Sequence, residues 1–259
     1  FYIYLEGYMA INVFNYKIKK PRFTLYPLYD LHIGSNLCDI QKILTVINVI
    51  KKDKDAYFLI GGDALDMSIK DSIGDVYTGM NPAEEGKKFL EIFKDMWDKC
   101  FTVIRGNHEM RLLRSTGIDL LEFVAPIDLY AGDAALVYII WGNKLQNQTS
   151  ILVTHGNGSA TTPGGQMNSA IKMDKVITNV DFVLSGHTHQ LIYFPDIIYV
   201  YNNNTMQIDE HITQHIVCGS YLKWGDYATR KSLKPSVIGS PRLIFDEQNS
   251  NKYEVQLLW

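Results

Sequence analysis

Five short stretches of the chain set oxygen and nitrogen donors directly after apolar runs: Asp30-Leu31-His32, Gly62-Asp63, Gly106-Asn107-His108-Glu109, Thr154-His155-Gly156 and Gly186-His187-Thr188-His189. Asp30, His32, Asp63, Asn107, His108, His155, His187 and His189 are all carboxylates, imidazoles or an amide, with no thiolate among them. That mixture suits borderline divalent ions such as manganese, iron or zinc. Eight such groups exceed what one ion needs. With one bridging carboxylate, two ions roughly 3.5–4 Å apart would each have about four protein ligands and open positions left for a phosphoryl group. Asn107 suits such a centre as a neutral oxygen ligand. Two carboxylates against two divalent ions leave it net positive, which favours an anionic phosphoryl group. Taken singly, an Asp-x-His or His-x-His pair reads equally well as a turn residue with a surface partner. Five together, each at the end of an apolar run, point to one joint site.

For these ends to meet, the runs before them must be neighbouring strands. Residues 22–29 (RFTLYPLY) predict a strand, and Asp39 predicts the N-cap of a helix to residue 52 through Ile40, Ile43, Leu44, Ile47 and Ile50. Residues 56–60 (AYFLI) predict a buried strand, Asn81-Pro82 the start of a helix to about Trp97, and residues 101–104 another strand. Alternating strands and helices of this kind place a site at the carboxyl ends of adjacent strands. The second half is richer in strands, expected at 135–141, 150–154, 182–184, 192–201, 215–217, 241–245 and 253–258, with one helix near 167–178. The expected fold is therefore α/β, a four-layer αββα sandwich of two mixed β-sheets flanked by helices. Residues 1–21 read as an N-terminal extension, in part an edge strand or foreign to the natural chain, and 22–259 as a single domain.

Composition narrows the class. The chain has 259 residues, 46% of them hydrophobic, which is enough for one large core. A net charge of −3 provides no global basic field, so nucleic acid is neither required nor excluded as a partner. Cys38, Cys100 and Cys218 are odd in number, far apart and form no C-x-x-C pair, which speaks against a disulfide framework or a thiolate zinc site. Glu6 and Asn12 interrupt the apolar start and no charged leader precedes a cleavage site, so no signal peptide is expected. No apolar run reaches the roughly 18 residues of a membrane span, and a reducing cytoplasm is the expected location.

In order and spacing the five stretches resemble the motifs of the calcineurin-like metallophosphoesterases, over residues 30 to 189. The resemblance implies that Asp30, His32 and His189 bind one divalent metal, that Asn107, His155 and His187 bind a second, and that Asp63 bridges them. Manganese is the first expectation for both ions, with iron, zinc or nickel as alternatives. His108 is implied to be the acid that protonates the leaving oxygen. Asp66 follows Asp63 by three residues, and in phosphatases of similar spacing this second Asp pairs with the catalytic His, orienting it and favouring its protonated form. Those protein phosphatases continue with Arg-Gly where this chain has Met67-Ser68, which argues against a Ser/Thr protein phosphatase. Gly-His-Thr-His together with Gly-Asn-His-Glu looks most like the phosphodiesterase and nuclease branch, including phosphoesterases carried by phages and prophages. The expected substrate is thus a phosphodiester, nucleic acid or nucleotide, met in the cytoplasm of a bacterial host. A phosphomonoesterase acting on nucleotides or small molecules is the second reading. A noncatalytic scaffold, as among retromer-associated relatives, is the third, and the intact His108 speaks against it.

Further candidates surround this set. Arg105, Arg111 and Arg114 flank the Gly-Asn-His-Glu turn, with Arg111 best placed to clamp a phosphate and solvated ion pairing as the alternative. Gly156 and Asn157 open a glycine-rich stretch that either binds phosphate through backbone N–H groups or is a plain loop. Tyr77, Tyr193, Tyr221, Trp224 and Tyr227 are candidates for base stacking, although aromatics more often fill cores. Gly219-Ser220-Tyr221 reads as structural. His211 and His215 have zincin-like spacing but lack its Glu, and read as surface histidines.

Overall fold

The strand–helix alternation of the first half builds one sheet. Apolar runs form β2 (Arg22–Leu28), β3 (Ala56–Gly61) and β4 (Cys100–Ile104), which lie parallel. The helices α1 (Ile40–Lys52) and α2 (Pro82–Phe93) connect them. Asp39 caps α1 by accepting the Lys42 N–H at 3.1 Å, and Asn81 closes a capping box with Glu84 at the start of α2, with Pro82 in its first turn. Antiparallel β10 (Arg242–Asp246) and β11 (Tyr253–Gln256) extend the sheet to the order β11-β10-β2-β3-β4. This computed structural model describes residues 11–70, 72, 79–158, 162–172, 177–225, 228–229 and 234–257.

The second sheet has six strands in the order β1-β5-β6-β7-β9-β8. They are β1 (Asn12–Ile18), β5 (Ala134–Trp141), β6 (Asn147–Thr154), β7 (Phe182–Ser185), β8 (Leu191–Asn202) and β9 (Gln207–Cys218). Residues 12–18, read from sequence as part of an extension, pair in parallel with β5, Asn12 lying opposite Ala135. Strand β9 begins eight residues earlier than expected, because Gln207-Ile208-Asp209-Glu210 is exposed and polar and carries no buried-strand signal. The helix expected near residue 167 is α5 (Pro163–Ile171), whose Met167 packs on Val217; residues 173–176 of that expectation lie outside the described residues. Two further short helices are α3 (Asn107–Thr116), whose first turn is the Gly-Asn-His-Glu stretch itself, and α4 (Leu120–Val124).

Phe23, Leu25, Leu59 and Phe101 meet Val137, Ile139, Ile151 and Phe182 between the sheets, each buried side chain worth about 1.5–3 kcal/mol. A second core, including Ile43, Ile47, Phe89 and Phe93, joins α1 and α2 to the outer face of the five-stranded sheet. With α5 outside the other sheet, the layers run α, β, β, α. Among the described residues no helix is long and apolar enough to cross a membrane.

One core residue is a carboxyl. Glu85 of α2 is fully buried, its Oε2 accepts the Met67 N–H at 3.0 Å, and its Oε1 has no hydrogen-bond partner. Gly34, at φ 112°, makes room for it: a Cβ there would fall 2.4 Å from Glu85 Cγ. Burial, countered by the Met67 N–H and aided by the charges of Asp66 and Glu109, pushes this carboxyl up to about 8. A carboxyl raised by folding stabilises the native state below its ordinary value of 4.5 and loses that contribution as pH climbs through 8. Replacing Glu85 by Gln is therefore expected to flatten the fall in melting temperature across this window, with the variant gaining on the parent as pH rises. Parallel melting curves that keep a constant separation from pH 5 to about pH 8 would contradict this.

Candidate metal centre

The loops after β2, β3, β4, β6 and β7 converge at one edge of the sandwich, and backbone hydrogen bonds fix them to one another. The N–H groups of Asp30, His32 and Ile33 donate to the carbonyls of Gly62, Asp63 and Ala64 at 3.1, 2.9 and 2.9 Å. Asp30 is held from a third side, since its carbonyl accepts Ser220 Oγ–H at 3.1 Å and the Tyr221 N–H at 3.0 Å. Glu109, buried at the start of α3, accepts the N–H groups of Gly106, Asp63 and Leu65 at 2.8, 3.1 and 2.9 Å and so ties two of the loops into one body. The glycines keep the approach close: a Cβ on Gly106 would lie 2.2 Å from Asp63 Oδ1, and one on Gly186 2.3 Å from Asp30 Oδ2. This crowding bends the backbone. Ten described non-glycine residues have positive φ, and five of them are Asp30, His32, Asp63, His187 and His189. Left-handed side chains cost roughly 1–3 kcal/mol each, and such strain gathers where a site demands it.

Each carboxylate spends one oxygen on the frame. Asp30 Oδ2 accepts the His187 N–H at 2.9 Å, and Asp63 Oδ1 accepts the His108 N–H at 2.8 Å. The other oxygens face the centre. Asp30 Oδ1, buried with no hydrogen-bond partner, stands 3.3 Å from His189 Nε2 and 3.8 Å from His32 Nε2. These two ring nitrogens lie 3.2 Å apart. On the other side Asn107 Oδ1 is 3.1 Å from His155 Nε2 and 2.6 Å from His187 Nδ1. Asp63 Oδ2 reaches both groups, at 3.2 Å from His155 Nε2 and 3.9 Å from His32 Nε2. The far nitrogens hold the tautomers: His155 Nδ1 donates to the Gly61 carbonyl at 3.0 Å, and His32 Nδ1 faces Asp66 Oδ1 at 3.3 Å. Facing ring nitrogens and a buried unpaired carboxylate oxygen are a donor set that suits a divalent cation.

The electrostatics agree. Burial opposes protonation of His32, but hydrogen bonds to Asp30 and Asp66 and the charge of Asp63 carry it up to about 10. Burial likewise opposes protonation of His155, but the charge and hydrogen bond of Asp63 raise it to about 9. Asp63, against its burial, is held well below the usual carboxylate range by His155 and His108. The carboxylates thus draw positive charge among them. His108 behaves differently: burial, opposed by the charge of Asp63, pushes it down to about 3, and the charges of His32 and Arg111 add to the fall.

Asp66 stands beside His108, in contact mainly through its backbone carbonyl. His108 Nδ1–H donates to the backbone carbonyl of Asp66 at 2.6 Å, whereas the Asp66 carboxylate lies 3.5 Å from it and nearer His32. Asp66 also accepts Ser68 Oγ–H at 2.6 Å. Its carboxylate therefore stands beside both His32 and His108, and its charge favours the protonated form of each, against the burial that lowers His108. Arg111 Nη2 donates to His108 Nε2 at 2.9 Å, so this arginine stands beside the centre. Arg105 does not: it binds Asp119 and Asp133, both at 2.7 Å. Arg114 is exposed on α3. Gly156, at φ 87°, and Asn157 begin a loop whose Gly158 carbonyl accepts His187 Nε2–H at 2.9 Å; residues 159–161 lie outside the described residues. Tyr221 is core, its hydroxyl paired with Ser240 Oγ at 2.9 Å, while Tyr193 and Trp224 are partly exposed. Tyr77 and Tyr227 lie outside the described residues. His215 is fully buried, not a surface histidine, because it shares the face of β9 on which Met167 of α5 packs against Val217.

Comparison with known proteins gives one family match, to the calcineurin-like phosphoesterases over residues 30–191. The search of curated proteins returned no match. Solved structures of similar fold include zinc-complexed Vps29 of Entamoeba histolytica, at 12% identity and TM-score 0.43 over 91% of this chain and 98% of that one. GAP50 of Plasmodium, titled as the anchor in the inner membrane complex, aligns at 11% identity and TM-score 0.46 over 92% and 85%. The Pseudomonas putida nuclease MPE aligns at 16% identity and TM-score 0.34 over 90% and 87%.

Proposed function

Because the chain belongs to the calcineurin-like phosphoesterase family, and is thereby a phosphoester hydrolase, we propose that it is a phosphodiesterase of nucleotides or nucleic acid working with two divalent ions. The observation that carries the two-ion reading is Asp63 Oδ2, 3.2 Å from a nitrogen of one donor group and 3.9 Å from a nitrogen of the other. Asp30, His32 and His189 would hold one ion, Asn107, His155 and His187 the other, and Asp63 both; manganese is the proposed metal. When bound, such ions neutralise phosphoryl charge and lower the pKa of water.

The chain's own residues do the rest. Water gives up a proton to solvent and bonds its oxygen to phosphorus, the bond to the leaving alcohol breaks, and the electron pair stays on the departing oxygen. His108 Nε2 is the atom from which that oxygen takes its proton. In the structure Nε2 faces Arg111 Nη2, and an incoming phosphate oxygen competes for that guanidinium. The phosphate would then be clamped by Arg111 and Nε2 freed to carry a proton, with Nδ1–H still anchored on the Asp66 carbonyl. Gly156 and Asn157 follow His155 and lead to the Gly158 carbonyl that accepts His187 Nε2–H, and they are proposed to contact substrate.

The preference for diesters rests on charge. Met67 is buried in the core and Ser68 is turned onto Asp66, so the position where protein phosphatases resemble one another in carrying arginine supplies no cation here. Beside the ions, Arg111 is the cation seen at His108 among the described residues, and a singly charged diester needs such help less than a doubly charged monoester. A manganese-supplemented panel of bis-p-nitrophenyl phosphate, p-nitrophenyl phosphate, cyclic nucleotides and single- and double-stranded DNA tests this. Turnover of the diesters, abolished by chelation and restored by manganese, is expected; cleavage of monoesters alone would replace the reading with that of a phosphomonoesterase.

A further inference from the structure

Positive charge gathers at the edge of the sandwich opposite the metal centre. Strands β2 and β3 run in parallel from Arg22 and Ala56 toward Asp30 and Asp63, so their first residues lie at that far edge, roughly 20–25 Å from the centre at about 3.3 Å per residue. Strand β1 ends there too, since it is parallel to β5, and β5 is antiparallel to β6, which runs toward His155. Residues 17–22 (KIKKPR) and 51–55 (KKDKD) meet at this edge: Lys20 Nζ donates to the Lys54 carbonyl at 2.7 Å, and the Thr24 N–H donates to the Asp55 carbonyl at 2.9 Å. Together the two segments hold seven lysines and arginines against two aspartates, a local charge of +5 in a chain whose total is −3.

Most of this charge faces water. Lys17, Lys19, Arg22, Lys51, Lys52 and Lys54 are exposed, and among the described residues none of these five lysines makes an ion pair. The acids nearby are engaged. Asp55 pairs with Lys20 at 2.9 Å, and Asp53 Oδ1 accepts the Asp55 N–H at 2.8 Å. Glu247, whose N–H donates to the Pro21 carbonyl, accepts the side-chain amides of Asn143 and Gln146, and Asp246 Oδ2 stands 3.8 Å from Arg22 Nε. Lys99, on the Ile50 carbonyl at 2.8 Å, and its neighbour Asp98 offset each other. At the border of the patch a cleft of about 230 Å³, lined by Arg22, Thr24, Asp53, Asp55 and Arg242 among others, has room for a phosphate group. Exposed lysines of this kind act as point charges and suit a phosphate backbone of any sequence. A bilayer would ask for more, since stable anchoring takes an apolar insert or a lipid beside a basic patch, and Ile18, between Lys17 and Lys19, is 4% exposed.

We propose that this basic edge is a sequence-independent docking surface for nucleic acid, which keeps a polymer on the protein at a distance from the centre that cleaves it. Its use rests on reading the centre as a phosphodiesterase of nucleic acid; the binding itself does not. Fluorescence anisotropy with a DNA duplex of about 30 base pairs, in chelator so that no ion holds the probe, should give a log affinity that falls against log salt with a slope near −4, as expected of roughly four or five phosphate contacts. Lys17→Glu with Lys19→Glu, and Lys51→Glu with Lys52→Glu, should each weaken binding by about tenfold or more and reduce the slope by about 2. Melting temperature and turnover of bis-p-nitrophenyl phosphate should stay unchanged in both pairs, because these lysines lie far from the centre. Binding that ignores salt, duplex affinity that survives either pair of substitutions, or a chain that binds phosphatidylserine vesicles and not the duplex would each overturn the proposal. Duplex binding at this edge without DNA cleavage would retain the docking surface and count against the nuclease reading of the centre instead.

Discussion

Asp63→Asn should cost both ions at once. The substitution keeps the side chain's shape and its acceptor for the His108 N–H, but it removes the charge that reaches the two donor groups together. Activity should fall on the order of 10³–10⁵-fold, since a metal centre supplies several kcal/mol of charge stabilisation and each 1.36 kcal/mol is tenfold. Metal analysis after manganese loading should find both equivalents diminished, while the melting curve without metal stays cooperative. A variant that loses only one equivalent would assign Asp63 to a single ion and end the bridging interpretation.

Substituting His108 by Ala should leave metal content intact and reveal itself through the leaving group. General-acid assistance contributes about 10²–10⁴-fold, and an alkoxide of high pKa needs it, whereas p-nitrophenolate departs readily alone. The loss should therefore be large for a natural nucleotide diester and small for bis-p-nitrophenyl phosphate. The partners of the imidazole, the Asp66 carbonyl and Arg111, add a control: Arg111→Ala should raise KM for both esters without separating them by leaving group. Equal His108→Ala losses on both substrates, together with a missing ion, would make His108 a supporting residue of the centre.

Much of this site is legible in the chain because strand ends are easy to read. A buried strand is a run of apolar residues, and where it stops the next polar residues must sit at the sheet's edge, as Asp30, Asp63, Asn107, His155 and His187 do. Connections between those ends are another matter. Glu109 could be anticipated as a partner of Gly106 from its N3 spacing, yet its bonds to Asp63 and Leu65 span more than forty residues and have no local signature. The Ser220 contact to Asp30 is of the same kind. Helix α3 has no sequence signal since its first turn is occupied by donor residues rather than by an apolar face, whereas β1, one reading of which is an edge strand, turns Phe14, Tyr16 and Ile18 to the core and Asn15 and Lys17 outward. Asp66 shows the limit of analogy: spacing from Asp63 predicts its place near His108, but not that the same carboxylate oxygen also stands 3.3 Å from His32 Nδ1.

The left-handed backbone at Asp30, His32, Asp63, His187 and His189 also governs how this protein can change over time. Drift toward greater robustness would replace these residues first, since glycine or asparagine relaxes such a position at once. A lineage released from catalysis would thus shed its donors early and grow sturdier as it did so. Laboratory selection for heat tolerance meets the same gradient, and it will enrich inert descendants unless turnover is scored in every round.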